Sequence, residues 1–149
     1  MSRLMGLGLV LAIAGWMAAA PEKDEKSMLE AARSALKLRN HNEAIAQASA
    51  LIAGSKDDDL KDDASQIVGL SQLGLGRTAD AYQTLHALVE RRPERARKPI
   101  VAEGLAVSSL SAGLKGEEVI NYFLAAAKLY EAEGNRTKQI ELLGRLAEF

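Results

Sequence analysis

The sequence predicts an all-α chain: a right-handed α-solenoid of antiparallel helix hairpins, about seven helices, preceded by an apolar N-terminal signal or anchor helix. Three observations predict it. Arg39-Asn40-His41-Asn42-Glu43-Ala44-Ile45, followed by Ala48, Leu51 and Ile52, returns 37 residues later as Gly76-Arg77-Thr78-Ala79-Asp80-Ala81-Tyr82, followed by Leu85, Leu88 and Val89. Each copy is a polar turn, an alanine, and apolar residues four, seven and eight positions on. A period of this length is the signature of stacked hairpins, each burying its apolar face on the next. Beyond the copies, apolar residues keep helical spacing from Ser27 onward. The composition agrees, with 48% hydrophobic residues but only 4% aromatic. An alanine- and leucine-rich mixture suits helices packed closely through small side chains and suits strands poorly.

The first helix of the array carries Met28, Ala31, Ala32, Ala35 and Leu36, and Asn40 and Asn42 mark the turn after it. The second carries Ala44, Ile45, Ala48, Leu51 and Ile52 and stops at Gly54. Asp57, Asp58, Asp59, Asp62 and Asp63 stand at the start of the third, where carboxylates favour the positive end of the helix dipole. Its stripe is Leu60, Ala64, Ile67, Val68, Ser71 and Leu75. Ala81, Leu85, Leu88 and Val89 carry the fourth, and Pro93 and Pro99 bracket a break. Val101, Leu105, Ser108 and Ala112 make a fifth helix, and Phe123, Ala126, Ala127 and Tyr130 a sixth. Gly134-Asn135 turns the chain into a seventh, with Ile140, Leu143, Leu146 and Ala147 as its apolar side. The turn at Gly113 would make the sixth helix the second member of a hairpin, whereas the turn at Gly134 would make it a first member. Both registers stay open.

The start of the chain belongs to another regime. Arg3 is the only charged residue before Pro21, and Leu4 to Ala20 is apolar, ending in Ala18-Ala19-Ala20. A short basic start, an apolar run and small residues describe an export signal. Seventeen apolar residues would reach roughly 25 Å as a helix, just short of the roughly 30 Å hydrocarbon core. The expected organisation is residues 1–20 as signal peptide or membrane anchor, 21–26 as polar linker, and 27–149 as the repeat domain. That placement is the bacterial periplasm or cell envelope, with the signal cleaved or retained in the inner membrane.

These residues carry a resemblance to the tetratricopeptide repeat (TPR) family. Gly69, Gly76, Ala81, Leu88 and Pro93 match its small mid-helix residue, turn, second-helix alanine and closing proline in one copy. Ala32, Asn40, Ala44 and Leu51 match in the copy before, and Ala127, Tyr130, Gly134 and Leu146 near the end. The resemblance covers about residues 25–149. It departs from the family in its offset of 37 rather than 34, in Lys56 where the first copy would close on proline, in the missing first-helix aromatics before Phe123, and in Gln139 for an expected alanine.

With a formal net charge of −1 the chain is no nucleic-acid binder by charge, and without cysteine it has no thiol chemistry. His41 and His86 lack metal-site spacing, and the Asp57–Asp63 cluster lacks the glycine and final glutamate of a calcium loop. It is expected to be a solvated helix start. No cofactor and no catalytic arrangement is predicted. The reading is a non-catalytic interaction module holding a protein or peptide partner. The alternatives are the front part of a longer envelope enzyme, such as a cell-wall hydrolase, and a self-associating scaffold. Glu148-Phe149 ends an apolar helix with no polar capping unit, which points either to a longer chain or to self-association through that helix.

The resemblance implies a partner surface on the first helix of each hairpin: Arg33, Lys37, Gln66, Leu70 and Ser109. Two cations beside an amide and an apolar side chain suit an extended peptide with an acidic group. A second candidate is the basic connector, in which Arg91, Arg92, Arg95, Arg97 and Lys98 outnumber Glu90 and Glu94 and could meet an anionic partner. Gly69 and Ala32 are expected where helices approach closely. Gly69→Leu should overpack the stack, and Gly69→Ala should be mild.

Overall fold

The computed structural model describes residues 24–114 and 116–148. They form α1 (Glu25–Lys37), α2 (His41–Gly54), α3 (Asp58–Gly74), α4 (Thr78–Arg91), a short 3-10 helix (Pro93–Arg97), α5 (Pro99–Ser111), α6 (Glu117–Ala132) and α7 (Arg136–Ala147). No strand occurs among the described residues. The expected signal or anchor at 1–20 lies outside them, as do the first residues of the expected linker. α1 begins at Glu25, two residues before the expected start of the repeat domain. No helix among the described residues is long and apolar enough to cross a membrane.

Each helix packs on the next, and α1, α3 and α5 also touch one another as a row. The 37-residue step is built into the backbone. Arg39, Gly76 and Gly113, one step apart, all have positive φ, at 59°, 73° and 80°. The same two hydrogen bonds close each turn: Asn40, Arg77 and Leu114 donate their N–H to the carbonyls of Ala35, Gln72 and Ser109. Arg39, Gly76 and Gly113 donate to Leu36, Leu73 and Leu110. This is a left-handed helix stop of the kind glycine favours, and the first copy makes it with an arginine. The turn at Gly134 is closed in the same way, with φ 74° and the N–H groups of Asn135 and Gly134 donating to the carbonyls of Tyr130 and Glu131, so the 37-residue step, and not the form of the turn, pairs α5 with α6. The third hairpin is α5 and α6, so the sixth helix is a second member. Arg136 begins α7 one further step after Pro99, without a second helix behind it among the described residues.

Small residues recur at the same step along the first helices of the hairpins. Ala32, Gly69 and Ala106 are all buried. Leu85 of α4 is fully buried between two glycines. A Cβ on Gly69 would lie 2.6 Å from its Cδ2 and 2.7 Å from its Cγ, and one on Gly104 of α5 would lie 2.8 Å from its Cδ1. The expectation that Gly69→Ala is mild is therefore corrected, since even a methyl group collides. Three apolar clusters follow the chain: α1 to α3 around Leu29, Leu51 and Ile67, the middle around Leu85, Val101 and Leu105, and α5 to α7 around Phe123 and Leu142.

The seventh helix turns differently from its expected stripe. Leu142 and Leu146 pack inward against α5 and α6. Ile140, Leu143 and Ala147 face outward. The helix carries two apolar stripes, and the one that meets Phe123 and Tyr130 has the larger share of leucine.

Candidate functional site

α1, α3, α5 and α7 line one groove of about 820 Å3. Helical spacing selects what faces it: Arg33, Leu36 and Lys37 from α1; Gln66, Ile67, Leu70 and Leu73 from α3; Ile100, Glu103 and Val107 from α5; and Lys138, Glu141 and Arg145 from α7. Six lysines and arginines line it, Arg39 and Lys98 among them, against the three carboxylates of Asp63, Glu103 and Glu141. The result is an apolar floor with a rim of net positive charge. At one end the ring of His41 lies over Gly74, so closely that a Cβ there would meet it at 2.3 Å.

Four of the five residues expected on this surface are in the groove: Arg33, Lys37, Gln66 and Leu70. Ser109 is not. It is fully buried, and its hydroxyl donates to the carbonyl of Ala106 at 2.9 Å. Counting the period from Arg33 through Leu70 arrives at Val107, which does line the groove, so the signal for the right position was present. Lys138 and Arg145 went unread because α7 was placed by its outer stripe.

The groove cations are not equivalent. Arg33 donates to Glu30 at 2.6 Å and to Asp63 at 2.7 Å, and Asp63 also accepts from Arg95. Arg33 thus ties α1 to α3 and the 3-10 turn. Lys37 and Arg39 are exposed and make no ion pair among the described residues. Lys98 reaches Gln66 at 3.5 Å, at the edge of hydrogen-bonding distance.

The basic connector is corrected in most of its members. Arg91 donates from Nε and Nη2 to one oxygen of Asp62, at 3.1 and 2.6 Å, and Arg92 donates from Nε to the other at 2.7 Å. Arg92 also reaches Asp59 at 3.2 Å. Asp62 is 2% exposed, so its charge is held by two guanidiniums in place of water. The antiparallel hairpin of α3 and α4 brings the acidic start of one beside the basic end of the other. Arg91, Arg92 and Arg95 are therefore engaged within the chain, while Arg97 is exposed and Lys98 belongs to the groove. The acidic cluster is correspondingly not just a solvated helix start. Asp57 caps α3, accepting from the N–H groups of Asp59 and Leu60. Asp58 remains in solvent beside Lys61, which lowers its pKa.

At the other end, Tyr130 donates to Glu103 at 2.5 Å and Lys138 donates to the same carboxylate at 2.7 Å, joining α6, α5 and α7. Burial, then the bond to Glu103, pushes the Tyr130 hydroxyl well above the usual tyrosine range. The bond to Glu103 likewise raises Lys138. Both groups hold their protons more firmly than usual, the opposite of what a general base or nucleophile needs.

No protein-family model, curated protein or solved structure matches this chain.

Proposed function

We propose that the chain is an exported, TPR-like helical-repeat module whose groove holds an extended acidic segment of a partner protein. The single observation that carries this reading is the groove itself: an apolar floor of Leu36, Ile67, Leu70 and Val107 under a rim with twice as many cations as carboxylates. An extended peptide would bury alternate apolar side chains on that floor and set carboxylates against Lys37, Arg39 and Lys98. The repeated turn and the buried small residues support the solenoid reading, and Arg3 with the apolar run to Ala20 supports export to the cell envelope.

An array of extended peptides, acidic and neutral at matched hydrophobicity, tests the groove. Acidic members should bind, more weakly at high salt. Lys37→Glu with Lys98→Glu should weaken them by about tenfold or more, at unchanged helicity. Arg97→Glu should leave them bound. Release by Arg97→Glu alone would move the site to the connector. Arg33 and Arg95 are unsuitable probes, because reversing either would break the Asp63 clamp. A reporter active only outside the cytoplasm, fused to Phe149, tests export: silence from an intact fusion would reject it.

A further inference from the structure

Aromatic residues make up only 4% of the chain, yet two of its three tyrosines stand side by side. Tyr82 of α4 and Tyr122 of α6 meet edge to face, with ring centroids 6.3 Å apart, and the ring of His86 lies 5.2 Å from that of Tyr82. Helical spacing assembles the group. Tyr82, His86 and Glu90 follow at intervals of four on α4, and Glu118 and Tyr122 do so on α6. Each tyrosine rests one flank on the cluster of Leu85, Val101 and Leu105, which holds its ring in place. The repeat does not require this group. One step earlier, Ile45 and Ser49 occupy the places of Tyr82 and His86.

The hydrogen bonds turn the patch into an acceptor. Both tyrosine hydroxyls donate to the same oxygen of Glu118, at 3.1 Å from Tyr82 and 3.4 Å from Tyr122. Burial pushes both hydroxyls above the usual tyrosine range, so they keep the protons they donate. Each phenol oxygen is left with lone pairs, and the second oxygen of Glu118 has no partner among the described residues. Glu90 is 69% exposed, and His86 Nδ1 stands 3.6 Å from it, too far for a hydrogen bond. Neither glutamate meets a lysine or arginine among the described residues. By contrast, Asp62, Asp63, Glu103 and Glu141 are each held by at least one.

Carboxylates beside phenol oxygens and aromatic rings, with no cation of their own, match the chemistry of an ammonium or guanidinium group. We propose that Tyr82, Tyr122, Glu118 and Glu90 form a second docking site, which takes a lysine or arginine side chain from a basic segment of a partner protein. Its N–H groups donate to the free oxygen of Glu118 and to the phenol oxygens, and its charge is offset by Glu90. None of these residues lines the groove, which belongs to α1, α3, α5 and α7. One layer of helices therefore selects acidic segments and the other basic ones, and the two sites stand or fall separately.

The test uses the full-length chain in mild non-ionic detergent, since residues 4–20 are apolar. The probe is a short peptide alternating arginine and serine, compared with the same peptide carrying citrulline, which keeps the shape of arginine and loses its charge. Titration calorimetry should show the arginine peptide binding about tenfold or more tightly than the citrulline one. Glu118→Gln with Glu90→Gln should weaken the arginine peptide by about tenfold, with Tm unchanged, because glutamine keeps an oxygen for both tyrosine hydroxyls. Tyr82→Phe with Tyr122→Phe, which preserves the rings, should weaken it as well. Asp58→Asn, at an exposed carboxylate outside the patch, should leave it bound. Equal binding of the arginine and citrulline peptides would overturn the proposal. So would binding that survives the double glutamine substitution, or that is lost in Asp58→Asn. Lys37→Glu with Lys98→Glu should not weaken this peptide, so failure of the groove reading and failure of this one are told apart.

Discussion

Gly69→Ala separates two opposing effects whose sizes can be worked from the contacts. In an exposed helix the substitution would stabilise by about 1 kcal/mol through propensity alone. Here the new methyl would stand 2.6 and 2.7 Å from Leu85 Cδ2 and Cγ, about 1 Å inside an ordinary carbon–carbon contact. Leu85 cannot retreat toward α5, where the space a Cβ on Gly104 would take is already 2.8 Å from its other methyl group. Overpacking of this kind costs about 1–3 kcal/mol. The clash involves the branch carbon as well as a methyl terminus, so it outweighs propensity, for a net loss of up to about 2 kcal/mol. At this chain size that is a fall of up to about 8 °C in Tm. The assay is a double-mutant cycle with Leu85→Ala, read by thermal and denaturant unfolding. Leu85→Ala alone should cost about 2–5 kcal/mol through its cavity. In that background Gly69→Ala should turn stabilising, giving a coupling of about 2 kcal/mol. A higher Tm for Gly69→Ala in the wild-type background would refute the reasoning.

The turns, the clamp and the tyrosines give further tests. Arg39→Gly should stabilise by about 0.5–1 kcal/mol, because a non-glycine residue held at φ 59° stores more strain than glycine loses in chain entropy. Gly76→Ala and Gly113→Ala should each destabilise by about 1–2 kcal/mol through backbone conformation alone, since neither Cβ would touch anything. Asp62→Ala, which removes the carboxylate that Arg91 and Arg92 share, should cost about 1–3 kcal/mol in denaturant unfolding through its lost charge-assisted hydrogen bonds, since both guanidiniums stay in reach of water. Burial raises Tyr82, Tyr122 and Tyr130 above the usual range. Phenolate absorbance at pH about 10–11 should therefore stay below that of the unfolded chain. The sign follows: a raised folded pKa contributes stability that is full below the unfolded value near 10 and is lost as pH climbs through the folded value. Stability that rose over that range would contradict it.

How much of this was legible in the sequence depended on whether the information was local. The turns were, because Arg39 with Ala44 and Gly76 with Ala81 repeat at a fixed step, and the same step taken from Leu70 reaches Val107, the position that Ser109 was given in its place. Ser109 was misplaced because α5 is apolar on most sides and its stripe does not select a face. The arginines at 91, 92 and 95 read as free charge until the α3–α4 hairpin set them against Asp62 and Asp63, a pairing across about thirty residues. The face of α7 was undecidable locally, since both of its stripes have the right spacing and only Phe123 and Tyr130 choose between them. Leu85 gave no sign in sequence that it would fill the space at Gly69.

The central claim is that the groove receives the acidic segment of a partner. Photo-crosslinking in living cells tests it most directly, with the reactive side chain placed in turn at Leu70 and Val107 in the groove and at Ile52 and Leu75 outside it. The account predicts that Leu70 and Val107 capture the same protein and that Lys37→Glu with Lys98→Glu abolishes the capture, while Ile52 and Leu75 capture nothing in common with them. Capture from Ile52 or Leu75 with silence from Leu70 and Val107 would contradict it.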